Sequence, residues 1–283
     1  MEMFLRERSE DSIELEVKGV PLAFLNVIRR YALAKVPTYA IDEVMIVVNT
    51  SSMFDEILAH RLGLIPLKME DVIEKVRELD PELCEKCSSQ PLEGVDSRLC
   101  NECYVHMTLE AEATTNEAVV YSGDIKSDDP RVVPAYNNIP IVLLAPGQRI
   151  ALELKARLGR GLEHAKWSPA SIAITRYVAD IKIDKSLCNM CKKCIEACPR
   201  GVLKLEGGEI KVVNIYDCIL CKQCEASCPL KAIDVNNVEG DYILRIESVG
   251  SLKPETIIRE AVYILLNELK EFEKFVESIE KVQ

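Results

Sequence analysis

Eight cysteines in two copies of one spacing constrain this chain more than any other feature. Cys188, Cys191, Cys194 and Cys198, followed by Pro199, read C-x2-C-x2-C-x3-C-P. Cys218, Cys221, Cys224 and Cys228, followed by Pro229, repeat the pattern thirty residues later. Three closely spaced thiolates cover three corners of a 4Fe–4S cluster, and the fourth ligand has to arrive from elsewhere. In two-cluster modules it comes from the other run. The spacing therefore predicts one cluster on Cys188, Cys191, Cys194 and Cys228, and a second on Cys218, Cys221, Cys224 and Cys198. Between the runs, "VLKLEGGEIKVV" reads as a β-hairpin turning at Gly207 and Gly208. After the second run, "AIDVNNVEGDYIL" repeats strand, turn and strand, which makes the module an internal duplication.

Four more cysteines stand apart. Cys84, Cys87, Cys100 and Cys103 form two C-x2-C pairs separated by twelve residues. A two-residue gap lets a tight turn aim both thiolates at one ion, and two such turns complete a tetrahedron, for which zinc is the default metal. The intervening "SSQPLEGVDSRL" has little apolar content to hold a shape unaided. A structural zinc, worth about 10–16 kcal/mol in small peptides, would fix it. The gap is shorter than the usual ribbon spacing, and His106 lies near enough in sequence to compete as a ligand. With all four positions filled by protein, such a site is structural rather than catalytic.

Cysteine usage on this scale, in a chain whose first residues "MEMFLRERSEDSIEL" hold no apolar leader core, points to metal ligation in a reducing cytoplasm. The longest apolar run, "IPIVLLAPG", is far short of the ~18 residues that span a bilayer. A formal charge of −11 over 283 residues argues against a direct nucleic-acid sleeve, which needs a basic face.

The flanks read as α plus β. "SIELEVKG" alternates Ile13, Leu15 and Val17 against charged neighbours, as a half-buried strand does. "PLAFLNVIRRYALAK" opens a helix at Pro21 and is apolar around much of its circumference. "FDEILAHRLGLIPL" is a short helix ending at Gly63, "DVIEKVRELDP" an amphipathic helix leading to the four cysteines, and "IALELKARLG" a strand. At the far end, Ile258, Val262, Leu265, Leu269, Phe272, Val276 and Ile279 alternate spacings of four and three. That is an a/d stripe over three heptads. A helix of about 43 Å outruns a small domain, so part of the stripe is expected to meet another polypeptide.

No nucleotide-binding fingerprint is present. The three histidines, His60, His106 and His164, form no Ser/His/Asp or Cys/His arrangement. Catalytic residues are therefore expected to be none, with His164 structural despite its basic neighbours Arg157, Arg160 and Lys166.

Three segments carry a resemblance. "FLNVIRRYALAKVPTYAIDEVMI", "LAHRLGLIPL" and "GRGLEHAKWSP", in that order, are similar to the D-type polypeptide of the archaeal DNA-directed RNA polymerase. That family is related to the third-largest subunit of eukaryotic RNA polymerase II and to the N-terminal domain of the bacterial α subunit. The likeness covers essentially the whole chain, including a ferredoxin-like insertion that only some members carry in full. It implies an α+β fold with a split dimerisation domain at 1–47, 168–180 and 238–283. A mixed domain at 48–167 with the zinc cysteines, and a ferredoxin-like 4Fe–4S domain at 181–237, would be inserted into it. It also implies a heterodimer with the small L subunit, on which the large catalytic subunits of this nucleotidyltransferase assemble. Asn26, Arg29, Arg30, His60, Arg61, Lys166 and Trp167 become contact or packing residues on the same ground. The clusters would then be folding staples. Two other readings compete: an iron–sulfur electron-transfer subunit of an oxidoreductase, and a free-standing DNA-binding regulator, which the negative charge disfavours.

Overall fold

The structure is a computed structural model of the chain and describes residues 1–89 and 97–280. Strands β1 (Glu2–Arg8) and β2 (Ser12–Lys18) lead into α1 (Leu22–Ala34) and the long β3 (Pro37–Asn49). Next come α2 (Asp55–Gly63), the two-residue β4 (Leu67–Lys68) and the one-turn α3 (Ile73–Val76). Helices α4 (Pro81–Ser89) and α5 (Ser97–Glu102) precede β5 (Tyr104–Glu112) and β6 (Ala118–Tyr121). Three short strands follow, β7 (Lys126–Ser127), β8 (Val133–Pro134) and β9 (Pro140–Leu144), then β10 (Arg149–Arg160) and β11 (Ala170–Ile183). The cysteine-rich stretch holds α6 (Lys193–Glu196), β12 (Leu203–Glu206), β13 (Glu209–Val212) and α7 (Gln223–Ala226). Finally come β14 (Ile233–Ser248) and α8 (Pro254–Glu280). The fold is α+β, and among the described residues no helix is long and apolar enough to cross a membrane.

Compactness divides the chain into two units. One comprises Met1–Glu7, Glu14–Asn26 and Ile174–Arg245; the other comprises Arg8–Ile13, Val27–Ala173 and Ile246–Gln283. The first is built on a four-stranded sheet in the order β1-β2-β14-β11. Ile13 and Val17 of β2 are buried as the alternation requires, but Glu16 between them is buried too, at 3% exposure. Arg6 and Lys18 neutralise it at 3.6 and 3.0 Å, which is how a carboxylate survives removal from water.

The second unit is built on the sheet β3-β10-β5-β7. Ile150, Leu152, Leu154, Ala156 and Leu158 alternate inward along β10, with Leu154 facing Val44 of β3 and Met107 of β5. Leu58 and Leu62, four apart on α2, are fully buried. Acidic Asp55 and Glu56 in the first turn of α2, and basic His60 and Arg61 in the last, complement its dipole.

Two sequence expectations are corrected. "DVIEKVRELDP" forms a 3₁₀ turn and a single α-turn, Ile73–Val76, because the chain turns through Arg77–Leu79 and restarts at Pro81. "AIDVNNVEGDYIL" is no second hairpin: Ile233–Ser248 is one sixteen-residue strand. A lone Gly240 at φ +81° bends it where a hairpin would need two adjacent turn residues. Most of the expected loop between the cysteine pairs, residues 90–96, lies outside the described residues.

Candidate functional site

The two cysteine runs fold as near-copies. Each turns through two non-glycine residues in the left-handed region: Met190 and Lys192 at φ 56° and 63°, then Leu220 and Lys222 at 56° and 58°. Each then makes one helical turn, α6 or α7, in which Cys194 or Cys224 is buried. The bond from Gly201 N–H to the Cys198 carbonyl (3.2 Å) is matched by the bond from Lys231 N–H to that of Cys228 (3.2 Å). Left-handed backbone costs an ordinary residue about 1–2 kcal/mol, so four such positions in two identical turns mark a shape held for a ligand. Between the runs the expected hairpin is present, Leu203 pairing with Val212 and Glu206 with Glu209. Gly207 and Gly208 sit at φ 60° and 80°.

Beneath them lies a small core of Leu203, Ile210, Ile233 and Val235 with Cys194 and Cys224. A cavity in this unit is lined by Cys198, Cys218, Cys221 and Cys224 together with Ile181, Val202, Leu203 and Val235. Those four sulfurs are the predicted ligand set of the second cluster, including the crossed Cys198. Burial pushes the Cys224 thiol up, and the neighbouring Cys198 and Cys218 add to the effect. Cys194 is raised likewise by burial, with Cys188 and Cys191 contributing. The Cys228 sulfur accepts the N–H of Ala232 at 3.2 Å, the kind of bond that tunes a bound cluster. A four-thiolate, largely apolar cradle fits a 4Fe–4S group.

The other four cysteines come together as well, but on helices rather than in the expected tight turns. Cys84 and Cys87 lie on α4, one helical turn apart, while Cys100 lies on α5 and Cys103 just beyond it. They are paired here as disulfides, Cys84–Cys103 and Cys87–Cys100, with Cα atoms 5.3 and 5.7 Å apart. The expected single four-sulfur site is thus replaced in this structure by two cysteine pairs, each held by its own bond. His106 is exposed on β5. Among the described residues no three His, Cys, Asp or Glu side chains are gathered as a site for a single ion.

The long helix α8 presents two faces. Ile257, Glu260 and Ala261 are buried within the chain. Glu260, 2% exposed, receives both Nε (2.8 Å) and Nη2 of Arg77. The expected stripe is on the other side. Ile258, Val262 and Leu265 are half-buried, and from Leu269 through Ile279 every residue is exposed. Leu269 is 55%, Phe272 66%, Val276 39% and Ile279 52% exposed. Leu266 and Phe275, which the heptad reading omits, join them at 49% and 63%.

The "GRGLEHAKWSP" stretch is buried at Trp167 and open to solvent at Leu162 and His164. Trp167, 4% exposed, donates Nε1–H to the Arg157 carbonyl at 3.1 Å. Arg157 and Lys166 both lie 4.3 Å from its ring centroid. Both also bond to Asp42, at 2.8 and 2.7 Å. Burial alone would push the Asp42 carboxyl up, but these two cations outweigh it and hold it below the usual carboxylate range. His164 is exposed and accepts the Lys166 N–H at 3.1 Å. Arg61 binds the Ile141 carbonyl at 3.0 Å and that of Pro140 at 2.6 Å.

Comparison with known proteins bears on both the scaffold and the cysteine module. The family model described as the RNA polymerase Rpb3/RpoA insert domain matches residues 44–184, and one described as a 4Fe-4S dicluster domain matches 180–241. The DNA-directed RNA polymerase subunit Rpo3 of Methanothermobacter thermautotrophicus is 41% identical over 98% of this chain and 99% of its own length. The chain belongs to the Rpo3 family. Subunits of that name from Archaeoglobus fulgidus (37% identical, 99% of each chain) and Aeropyrum pernix (35%, 94% of this chain and 92% of the relative) agree. The family likeness read from three segments thus extends over the whole length, and it includes the dicluster module.

Glu16, Glu260 and the Asp42 network carry no signal in the sequence. Their partners stand far away in the chain, and no local pattern announces a buried carboxylate.

Proposed function

We propose that this chain is the non-catalytic assembly subunit of a cytoplasmic DNA-directed RNA polymerase, pairing with the small L subunit through α8. The observation that carries the pairing is the eleven-residue end of that helix, Leu269–Ile279, exposed throughout yet bearing five large apolar side chains. A monomer gains nothing from such a stripe. Covering those half-exposed side chains is worth roughly 4–8 kcal/mol gross. The large catalytic subunits would then assemble on the pair. Dimerisation segments at 1–47, 168–180 and 238–283, with inserted domains at 48–167 and 181–237, suit this role.

Two 4Fe–4S clusters brace the inserted module, one on Cys188, Cys191, Cys194 and Cys228, the other on Cys218, Cys221, Cys224 and Cys198. When bound, such a cluster supplies covalent cross-links between runs thirty residues apart. Under reducing conditions Cys84, Cys87, Cys100 and Cys103 hold a structural zinc. The electron-transfer alternative accounts only for the module, whereas the family likeness runs through 98% of the chain.

Reconstitution tests the proposal. The double substitution Leu269→Glu with Phe272→Glu leaves the subunit folded, since both side chains already face water, and abolishes polymerase assembly. Assembly at the unmodified level would sink it.

A further inference from the structure

The two cysteine runs match in backbone but differ in what stands two residues ahead of each. Ahead of Cys188 is Ser186, exposed, whose N–H (2.8 Å) and hydroxyl (2.6 Å) both bond Asp184 of the same turn. Ahead of Cys218 is Tyr216, and its reach is long. The Arg6 guanidinium of β1 lies 3.4 Å from the centre of its ring. Its hydroxyl donates to Glu16 of β2 at 3.4 Å, and its carbonyl accepts from Arg176 of β11. Arg6 also pairs with Glu16 (3.6 Å), and Arg176 with Glu14 (2.9 Å). All seven residues of β1 are exposed, so burial holds that strand weakly, and it lies at the edge of its sheet.

We propose that the second cluster, and not the first, fastens strand β1. The proposal rests on reading both runs as cluster sites. Bound cluster keeps the Cys218–Cys224 turn in its left-handed form, and Tyr216 is thereby held beneath Arg6 and against Glu16. When that cluster is lost the turn relaxes, Tyr216 leaves, and Arg6 and the buried Glu16 lose a shared neighbour. Loss of the first cluster relaxes a turn whose leading residue, Ser186, bonds Asp184 of that same turn. The iron content of one lobe is thus felt by the N-terminal sheet, while that of the other is not.

Amide hydrogen exchange on the full chain, purified without oxygen, tests this, with iron counted in every sample. Cys191→Ser and Cys221→Ser remove the exposed middle ligand of each run in turn. Cys221→Ser speeds exchange over residues 2–8 about tenfold, and Cys191→Ser leaves it unchanged. Tyr216→Ser, which copies the first run's residue, speeds it likewise with both clusters retained, whereas Tyr216→Phe keeps most of the protection. Unchanged protection in Tyr216→Ser, or equal release by the two cysteine variants, overturns the proposal. Absence of iron from the unmodified chain would overturn the cluster reading instead, and the Tyr216 variants would still judge the contact.

Discussion

Gly159→Ala is a one-carbon change with a large expected effect. A Cβ there would lie 2.6 Å from Cδ2 and Cε2 of Trp167, well inside van der Waals contact. The indole cannot retreat freely. It is 4% exposed, its Nε1–H is committed to the Arg157 carbonyl at 3.1 Å, and two cations sit on its face. Overpacking a filled core costs about 1–3 kcal/mol, and losing the indole hydrogen bond costs about 1 more. A destabilisation of about 3 kcal/mol corresponds to roughly 6–12 °C in Tm for a unit of this size. Trp167 is the only tryptophan in the chain, so its own emission reports the event. The variant unfolds at lower temperature, and its native emission shifts to the red as the ring is pushed toward water. Gly161→Ala is worse, because its Cβ would lie 2.0 Å from the Leu33 carbonyl oxygen, and backbone gives way less readily than a ring. A Gly159→Ala protein with unchanged Tm and emission would refute the claim that Gly159 exists to let Trp167 pack.

Two further outcomes follow from particular residues. Lys231 holds φ +51° where the first run has Gly201 at +62°; Lys231→Gly therefore stabilises the iron-loaded module by about 0.5–1 kcal/mol, read as slower thermal loss of the visible cluster absorbance. A neutral or destabilising result contradicts the strain. Asp42 is held below its ordinary range in the folded chain, so its contribution is full above the unfolded value of about 3.9 and disappears as pH falls through the folded one. Asp42→Asn should lower stability by about 1–3 kcal/mol at pH 7, with the gap to the unmodified protein closing in acid. A constant gap, measured by Trp167 emission during denaturation, argues against this network.

The most periodic parts of the fold are also those legible in sequence. The cysteine spacing announces the gathering of Cys198 with Cys218, Cys221 and Cys224, and the Gly-Gly pair between two strand-like runs announces the Gly207–Gly208 hairpin, whereas the left-handed turns at Met190, Lys192, Leu220 and Lys222 have no such signal. The a/d stripe picks out the open face of α8, because a repeat of 3.5 residues follows one side of a helix. It omits Phe275 and Leu266, which flank the seam, and it carries no sign that Ile257 and Ala261 face the chain's own core. Strand β14 passes for a hairpin because Gly240 marks a bend and a turn equally well in sequence. The cysteines at 84–103 pair two by two on helices where their spacing suggests one four-sulfur site in turns, since C-x2-C brings two sulfurs to one side of a helix as well. Contacts such as Arg77 with Glu260, separated by 183 residues, leave no local trace.

The central claim is that the end of α8 is made to be covered by a second polypeptide. Hydrogen exchange over residues 262–279, recorded with and without the purified small L subunit, tests it most directly. The expected result is a one-to-one complex in which this stretch becomes protected while the iron–sulfur absorbance stays the same. An iron-replete chain that remains monomeric beside L, with those residues exchanging as before, would contradict it.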